Sequence, residues 1–296
     1  MNPREAGFLL LTCKLGNPDR KVLSVAQMRT LYQRINQAEL PQEDRDLTSD
    51  DILRLGYGPD FSRRVVRLLE EENLLKHYLY KAKKSQCVPL TRVSTDYPRV
   101  LRQRLGPEAP GVLWTKGDVS ILDTPMISLV GSRALEKENR AFAERVGLEA
   151  ARQGYTLVSG NARGADRAAQ DACLAAGGKV ISIVADELSV HQPCEGVLYL
   201  SEDGFDEEFS AQRALSRNRC IHAMVEKTFV AQCSYQKGGT WDGTVKNLRF
   251  GWSPVFVFAD GSPSWALLCE MGAQGVVLED LTRINTLQPT EKNFLL

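Results

Sequence analysis

Seven short runs set the character of the chain from Pro125 onward: MISLVGS, TLVSG, KVISIVA, GVLYLSE, TFVAQC, PVFVFAD and GVVLED. Each is rich in β-branched residues, and none alternates polar with apolar positions. A strand with one wet face must alternate, so these runs predict strands covered on both faces. Most are separated by helical patterns such as ALEKENRAFAERVGLEAARQG and GADRAAQDACLAAGG. Strands of this kind alternating with helices predict an α/β fold, a doubly wound, mostly parallel sheet.

The sequence before this region has a different grain. Residues 1–85 read as a small helical module, because SVAQMRTLYQRINQ and RRVVRLLEEENLLKHYLYKAKK place apolar residues at three- and four-residue spacings. Ser24 and Ser62 are the candidate caps. The apolar run Gly7–Cys13 is too short to span a bilayer and reads as a buried helix or a turn of one. Residues 86–124 form a connector punctuated by Pro89, Pro98, Pro107 and Pro110, ending in a strand at Val112–Thr115. Residues 125–296 are the sheet domain, and the tail TRINTLQPTEKNFLL reads as short, polar and frayed.

Composition excludes several classes. Lysine plus arginine and aspartate plus glutamate number 37 each, so overall charge does not select a polyanionic partner. Cys13, Cys87, Cys173, Cys194, Cys220, Cys233 and Cys269 are scattered, with no C-x-x-C pair. That pattern fits reduced thiols in the cytoplasm rather than a disulfide framework or a zinc site. His77, His191 and His222 share no ligand spacing; His222 in CIHAMV reads as a packed helix residue. No metal, cofactor or membrane is expected.

In an open parallel sheet, ligands gather outside the carboxyl ends of the strands. Four such ends carry chemistry: Gly131-Ser132-Arg133, the turn SGNARGAD from Ser159 to Asp166, the pair Asp186-Glu187, and QKGGTWDGT from Gln236 to Thr244. Glycine turns opening a helix leave N–H groups aimed outward, with the positive end of the helix dipole behind them. Arg133, Arg163 and Lys237 add charge, so an anion, most plainly a phosphate, is the expected ligand. G-x-G-x-x-G would need glycines where Arg133 and Glu136 stand, and Walker A is absent, which disfavours dinucleotide and P-loop readings. Between the third and fourth ends, FSAQRALSRNRCIHAMVEK brings Arg213, Arg217 and Arg219 together behind the acidic SEDGFDEEF, whose Asp206, Glu207 or Glu208 could pair with them. Lys76–Arg104 holds eight Lys/Arg against one Asp, with Tyr78, Tyr80 and Tyr97, a mix that suits phosphate contacts and base stacking but reads first as lysines snorkelling around buried tyrosines.

Five segments in one order, DYPRVLRQRLGPEAPGVLWTKGD, ISLVGSR, TLVSGNARGAD, FSAQRALSRNR and KGGTWDGT, make Asp96 to about Asp260 resemble the DprA/Smf DNA-processing proteins. The resemblance implies an extended Rossmann-like domain that binds single-stranded DNA, protects it, helps load a RecA-type recombinase, works as a homodimer and catalyses nothing. It carries DNA contacts onto Gly131, Ser132 and Arg133, onto Ser159, Gly160, Asn161, Arg163 and Gly164, onto Arg217, Asn218 and Arg219, and onto Lys237, Gly238, Gly239 and Thr240. This chain departs from the family pattern at Arg163 and Ala165, has Trp241 in the late turn, and shows no recognisable carboxy-terminal winged helix.

Two alternatives stay open from the residues. One is a nucleotide N-glycosidase or phosphoribohydrolase of lysine-decarboxylase-like fold, whose P-G-G-x-G-T-x-x-E is similar to KGGTWDGT but for the missing glutamate. Asp186, Glu187 and Asp242 are then the only carboxylates near strand ends. The other is a nucleotide-binding sensor without turnover.

Overall fold

The computed structural model describes residues 1–38 and 47–289. Five helices come first: α1 (Pro3–Thr12), α2 (Val25–Gln37), α3 (Ser49–Arg54), α4 (Pro59–Glu70) and α5 (Glu72–Lys84). Strand β1 (Val88–Thr91), helix α6 (Arg99–Leu105) and strand β2 (Val112–Lys116) follow. The rest alternates: β3 (Met126–Val130), α7 (Lys137–Arg152), β4 (Thr156–Ser159), α8 (Ala165–Ala175), β5 (Lys179–Val184), β6 (Val197–Glu202), α9 (Ala211–Ala223), β7 (Lys227–Val230), α10 (Gly239–Phe250), β8 (Val255–Phe258), α11 (Pro263–Glu270) and β9 (Gln274–Val276).

One nine-stranded sheet runs in the order β1-β2-β6-β5-β4-β3-β7-β8-β9. From β6 to β9 every pairing is parallel, while β2 pairs antiparallel with β6 and β1 antiparallel with β2. The doubly wound α/β sheet expected from the β-branched runs without polar alternation is the observed one. β3 has β4 on one side and β7 on the other, so the winding reverses beside β3. Ligands of such sheets bind at this reversal, outside the carboxyl ends of the strands.

The buried residues fall into three clusters, one on each face of the sheet and one beneath the amino-terminal helices. That third cluster joins Leu9, Leu31, Val65 and Leu75 to Trp114 of β2 and to Phe205, with Tyr78 edge-on to Trp114 at 5.4 Å between ring centroids. The helical segment and the antiparallel edge of the sheet therefore share a core.

Three expectations need correction. The proline-marked connector supplies two strands, not one: Pro89 sits in β1, an edge strand, where its missing N–H costs no ladder bond. Ser24 caps α2, whereas Ser62 lies buried inside α4, which Gly58 and Pro59 begin. The frayed-tail reading fails for its first part. Ile284 is buried and its amide donates to Gln153 Oε1 at 2.8 Å. The remainder of that tail, residues 290–296, lies outside the described residues.

His222 on α9 is sealed in the core, its Nδ1 3.3 Å from both Thr228 Oγ1 and Asn247 Nδ2. Burial pushes its pKa down to about 3. The unfolded chain binds a proton near pH 6.5 that the folded chain refuses. Stability is therefore full above about pH 6.5 and is lost as pH falls, by at most about 1.4 kcal/mol per pH unit, levelling below about pH 3. Urea denaturation across pH should show this slope, and His222→Gln should flatten it.

Candidate functional site

Three strand-to-helix turns meet at the winding reversal. Gly131 follows β3 and packs so closely on α8 that a Cβ there would lie 2.4 Å from the Ala165 Cβ. The alanine at position 165 is what leaves room for this contact. Gly164, at φ +82°, faces the carbonyls of Ser132 and Arg133, where a Cβ would stand 2.4 and 2.5 Å from their oxygens. The Ala165 amide donates to Ser132 O at 3.1 Å, and the Ser132 amide donates to Gln232 O at 2.9 Å. From the far side, Thr240 Oγ1 donates to Gly131 O at 3.0 Å and Asn218 Nδ2 to Gly239 O at 3.2 Å. The turns after β3, β4 and β7 are thus laced into one rim.

Beneath the rim lie two buried charges of opposite sign, Asp166 and Arg217. Asp166, in the first turn of α8, accepts the amides of Gly160 at 3.0 Å and Ala162 at 3.2 Å through one carboxylate oxygen. Burial raises its pKa, with Arg217 and the two amides pulling the other way. The guanidinium of Arg217 lies so near the turn that a Cβ on Gly160 would stand 1.4 Å from Nη1. Its Nε and Nη1 are buried without a hydrogen-bond partner. Burial lowers the Arg217 pKa while Asp166 raises it. A guanidinium stays protonated through such shifts, so the turn rests on a fixed positive charge.

Above that base the cations stand free. Arg133, Arg163 and Lys237 are exposed, and none forms an ion pair or side-chain hydrogen bond among the described residues. The amides of Gly239 and Thr240, at the start of α10, also find no protein acceptor among the described residues; Gly238 before them has φ +87°. Asn161 turns the chain at φ +58°. Arg133, Arg163 and Lys237 thus sit one on each of the three turns that meet at the winding reversal.

Other expected contacts point elsewhere. Ser159 is fully buried, its Oγ accepting from Gln170 Nε2 at 2.6 Å, and Gln170 also donates to Ser182 Oγ at 2.9 Å. The amide of Gly160 is held by Asp166 and is closed to a ligand. Arg219 turns to Glu202, with Nη2 3.0 Å from its carboxylate. Burial raises the Glu202 pKa, and Arg219 is the largest influence pulling it down. Arg219→Ala should lower stability by about 2 kcal/mol in urea, by leaving that carboxylate without its cation, and should leave any salt dependence of binding in place.

Arg213 also serves the fold. It donates to the carbonyls of Ala185, Glu207 and Glu208 and to Ser201 Oγ, rather than pairing with the acidic side chains of Asp206, Glu207 or Glu208. In the basic Lys76–Arg104 segment Tyr78 and Tyr97 are buried, their hydroxyls donating to Asp206 and to Pro110 O. Tyr80 is exposed with Lys84 over its ring.

Sequence reasoning missed Asp166, Asn139 and Gln232. Asn139 donates to Ala231 O and Asp260, and Gln232 Oε1 accepts the Glu136 amide, so both pin α7 to the end of β7. An acid in the first turn of a helix, as in SGNARGAD, was a readable signal for Asp166; the other two had none.

The strand-end carboxylates are engaged. Asp186 holds His191 at 3.0 Å, a contact that lowers the Asp186 pKa, and Asp242 pairs with Lys246 at 2.8 Å. Glu187 accepts the Ser189 hydroxyl. Among the described residues no group of three or more His, Cys, Asp or Glu could hold a metal, and no helix is long and apolar enough to cross a membrane.

Fold and rim together define a doubly wound α/β protein whose turns at the winding reversal carry exposed cations. The family model of DNA recombination-mediator protein A matches residues 89–247, more than half of the chain, and the chain belongs to that family. It is 32% identical over 141 residues to the DNA processing protein DprA of Streptococcus pneumoniae, covering 44% of this chain and 50% of that protein. It is 28% identical over 185 residues to the protein Smf of Escherichia coli, covering 57% and 44%. The matched stretch thus spans about half the length of these curated relatives.

Among solved structures, the X-ray structure of S. pneumoniae DprA superposes with a TM-score of 0.71 at 24% identity, covering 98% of this chain and 100% of that one. Helicobacter pylori DNA processing protein A, described for its single-stranded DNA binding mode, gives 0.56 at 23% identity, covering 67% and 94%. At these identities the superpositions speak to the fold.

Proposed function

We propose that this protein binds single-stranded DNA by its sugar-phosphate backbone at the rim, without altering it. Protection of the strand, help in loading a RecA-type recombinase and action as a homodimer belong to the same reading. The observation that carries it is the set of unpaired cations Arg133, Arg163 and Lys237 around unpaired helix-start amides, with Arg217 fixed below them. Phosphates are the ligand such groups hold best, and contacts of this kind position a strand without reading its bases. Weak sequence preference follows. Tyr235 and Trp241, 6.1 Å apart between centroids beside Lys237, offer faces on which bases stack.

Filter binding tests the reading with oligo-dT, duplex and nucleoside monophosphates at two salt concentrations. Oligo-dT should be retained best, and its retention should fall as salt rises. Preferential binding of a monophosphate, or release of free base from it, would overturn the reading in favour of a nucleotide sensor or a glycosidase.

A further inference from the structure

Beyond the rim, a groove of about 500 Å³ runs between α7 and α8, lined by Arg140, Glu144, Arg163, Gly164, Arg167 and Asp171. Its mouth is the rim itself, because Arg163 and Gly164 belong to the turn after β4 and Gly164 abuts the carbonyls of Ser132 and Arg133. We infer that this groove is the exit path of the strand, its phosphates passing from Arg133 and Arg163 onto Arg140 and Arg167. The inference rests on the proposed rim and extends it to residues that the rim does not contain.

Arg140 and Arg163 form no ion pair or side-chain hydrogen bond among the described residues, and Arg167 reaches Asp171 only at 4.0 Å. Three exposed arginines gathered along one channel attract a negatively charged chain. Glu144 and Asp171 temper the channel to a slight positive excess. That suits a backbone laid along it, held by several weak contacts, better than one anion held tightly. Further along, the channel continues between the same helices for about 440 Å³ over Ala172, Ala175 and Ala176, which leave low ground for sugars and bases. The helices can form this shallow trough because Gly147 of α7 packs directly on the α8 backbone at Ala169.

Strand length separates rim from groove. An oligo-dT of about 6 nucleotides should fill the rim alone, and one of about 20 should also enter the groove. The double variant R140A/R167A removes two exposed side chains that lie outside the rim. For the long strand its affinity should fall about fivefold to tenfold and its log–log salt slope by about one. The short strand should bind as before, and R140K/R167K should restore the long one.

Unchanged binding of the long strand by R140A/R167A would overturn the exit path and leave the rim standing. Equal losses for both lengths would also overturn it, by making the two arginines part of the primary contact. If the unaltered protein retains neither strand, the rim and the path fall together.

Discussion

Replacing Arg133 and Lys237 together by alanine is expected to weaken oligo-dT binding roughly 25-fold at 0.1 M salt and to reduce the log–log salt slope by about 1.4. Each phosphate contact on a single strand releases most of one counterion, which sets both figures. The two side chains sit on turns that follow different strands, β3 and β7, and they flank the winding reversal. Both are exposed, so their removal should leave the fold intact. The discriminating quantity is the slope. A variant that lost affinity through misfolding would keep the slope of its remaining active fraction. Fluorescence anisotropy titrations at four salt concentrations give slope and affinity together. An unchanged slope with unchanged affinity would remove both residues from the contact.

The second large effect is on stability. Gly147, mid-way along α7, approaches α8 so closely that a Cβ would stand 2.0 Å from the Ala169 carbonyl oxygen and 2.9 Å from its carbon. Both are backbone atoms of a packed helix and cannot swing aside as a side-chain tip could. Gly147→Val should therefore destabilise the protein by more than about 3 kcal/mol, well above the usual cost of a surface change. Urea unfolding followed by far-ultraviolet circular dichroism would measure it. The effect reaches the rim as well: α7 starts beyond the turn that holds Arg133, and α8 starts at the turn that holds Arg163. A forced separation of the helices should weaken strand binding in whatever fraction remains folded.

How much of this was legible in the sequence depended on how local each cause is. β3 to β8 could be read because strands covered on both faces carry mostly apolar residues without polar alternation, the few buried hydroxyls such as Ser128 and Ser182 being hydrogen-bonded inside. The turn glycines could be read because small residues at strand ends stand out from their flanks. Their physical reasons could not. Gly160 is required by a guanidinium from α9, and Gly131 by an alanine of α8.

Ser159 reads as a ligand contact because its neighbours along the chain are turn residues, whereas in the structure its side chain is buried. Its actual partner, Gln170, comes from the next helix and lies 11 residues away. Arg219 looked like one member of a basic cluster, yet its counter-ion Glu202 is 17 residues upstream and buried. Where a charge ends up depends on pairing across elements, and a run of arginines does not reveal it. Arg213, Arg217 and Arg219 show the point within two turns of one helix. The first clips carbonyls, the second lies under the rim, and the third neutralises a carboxylate.

The most direct measurement of the central claim is backbone hydrogen exchange of the protein with and without saturating oligo-dT. The rim account predicts slowed exchange in the turns spanning residues 131–134, 161–164 and 237–241, with β1 and β2 at the far edge of the sheet unaffected. Protection concentrated elsewhere, with those three turns exchanging at their unliganded rates, would contradict it.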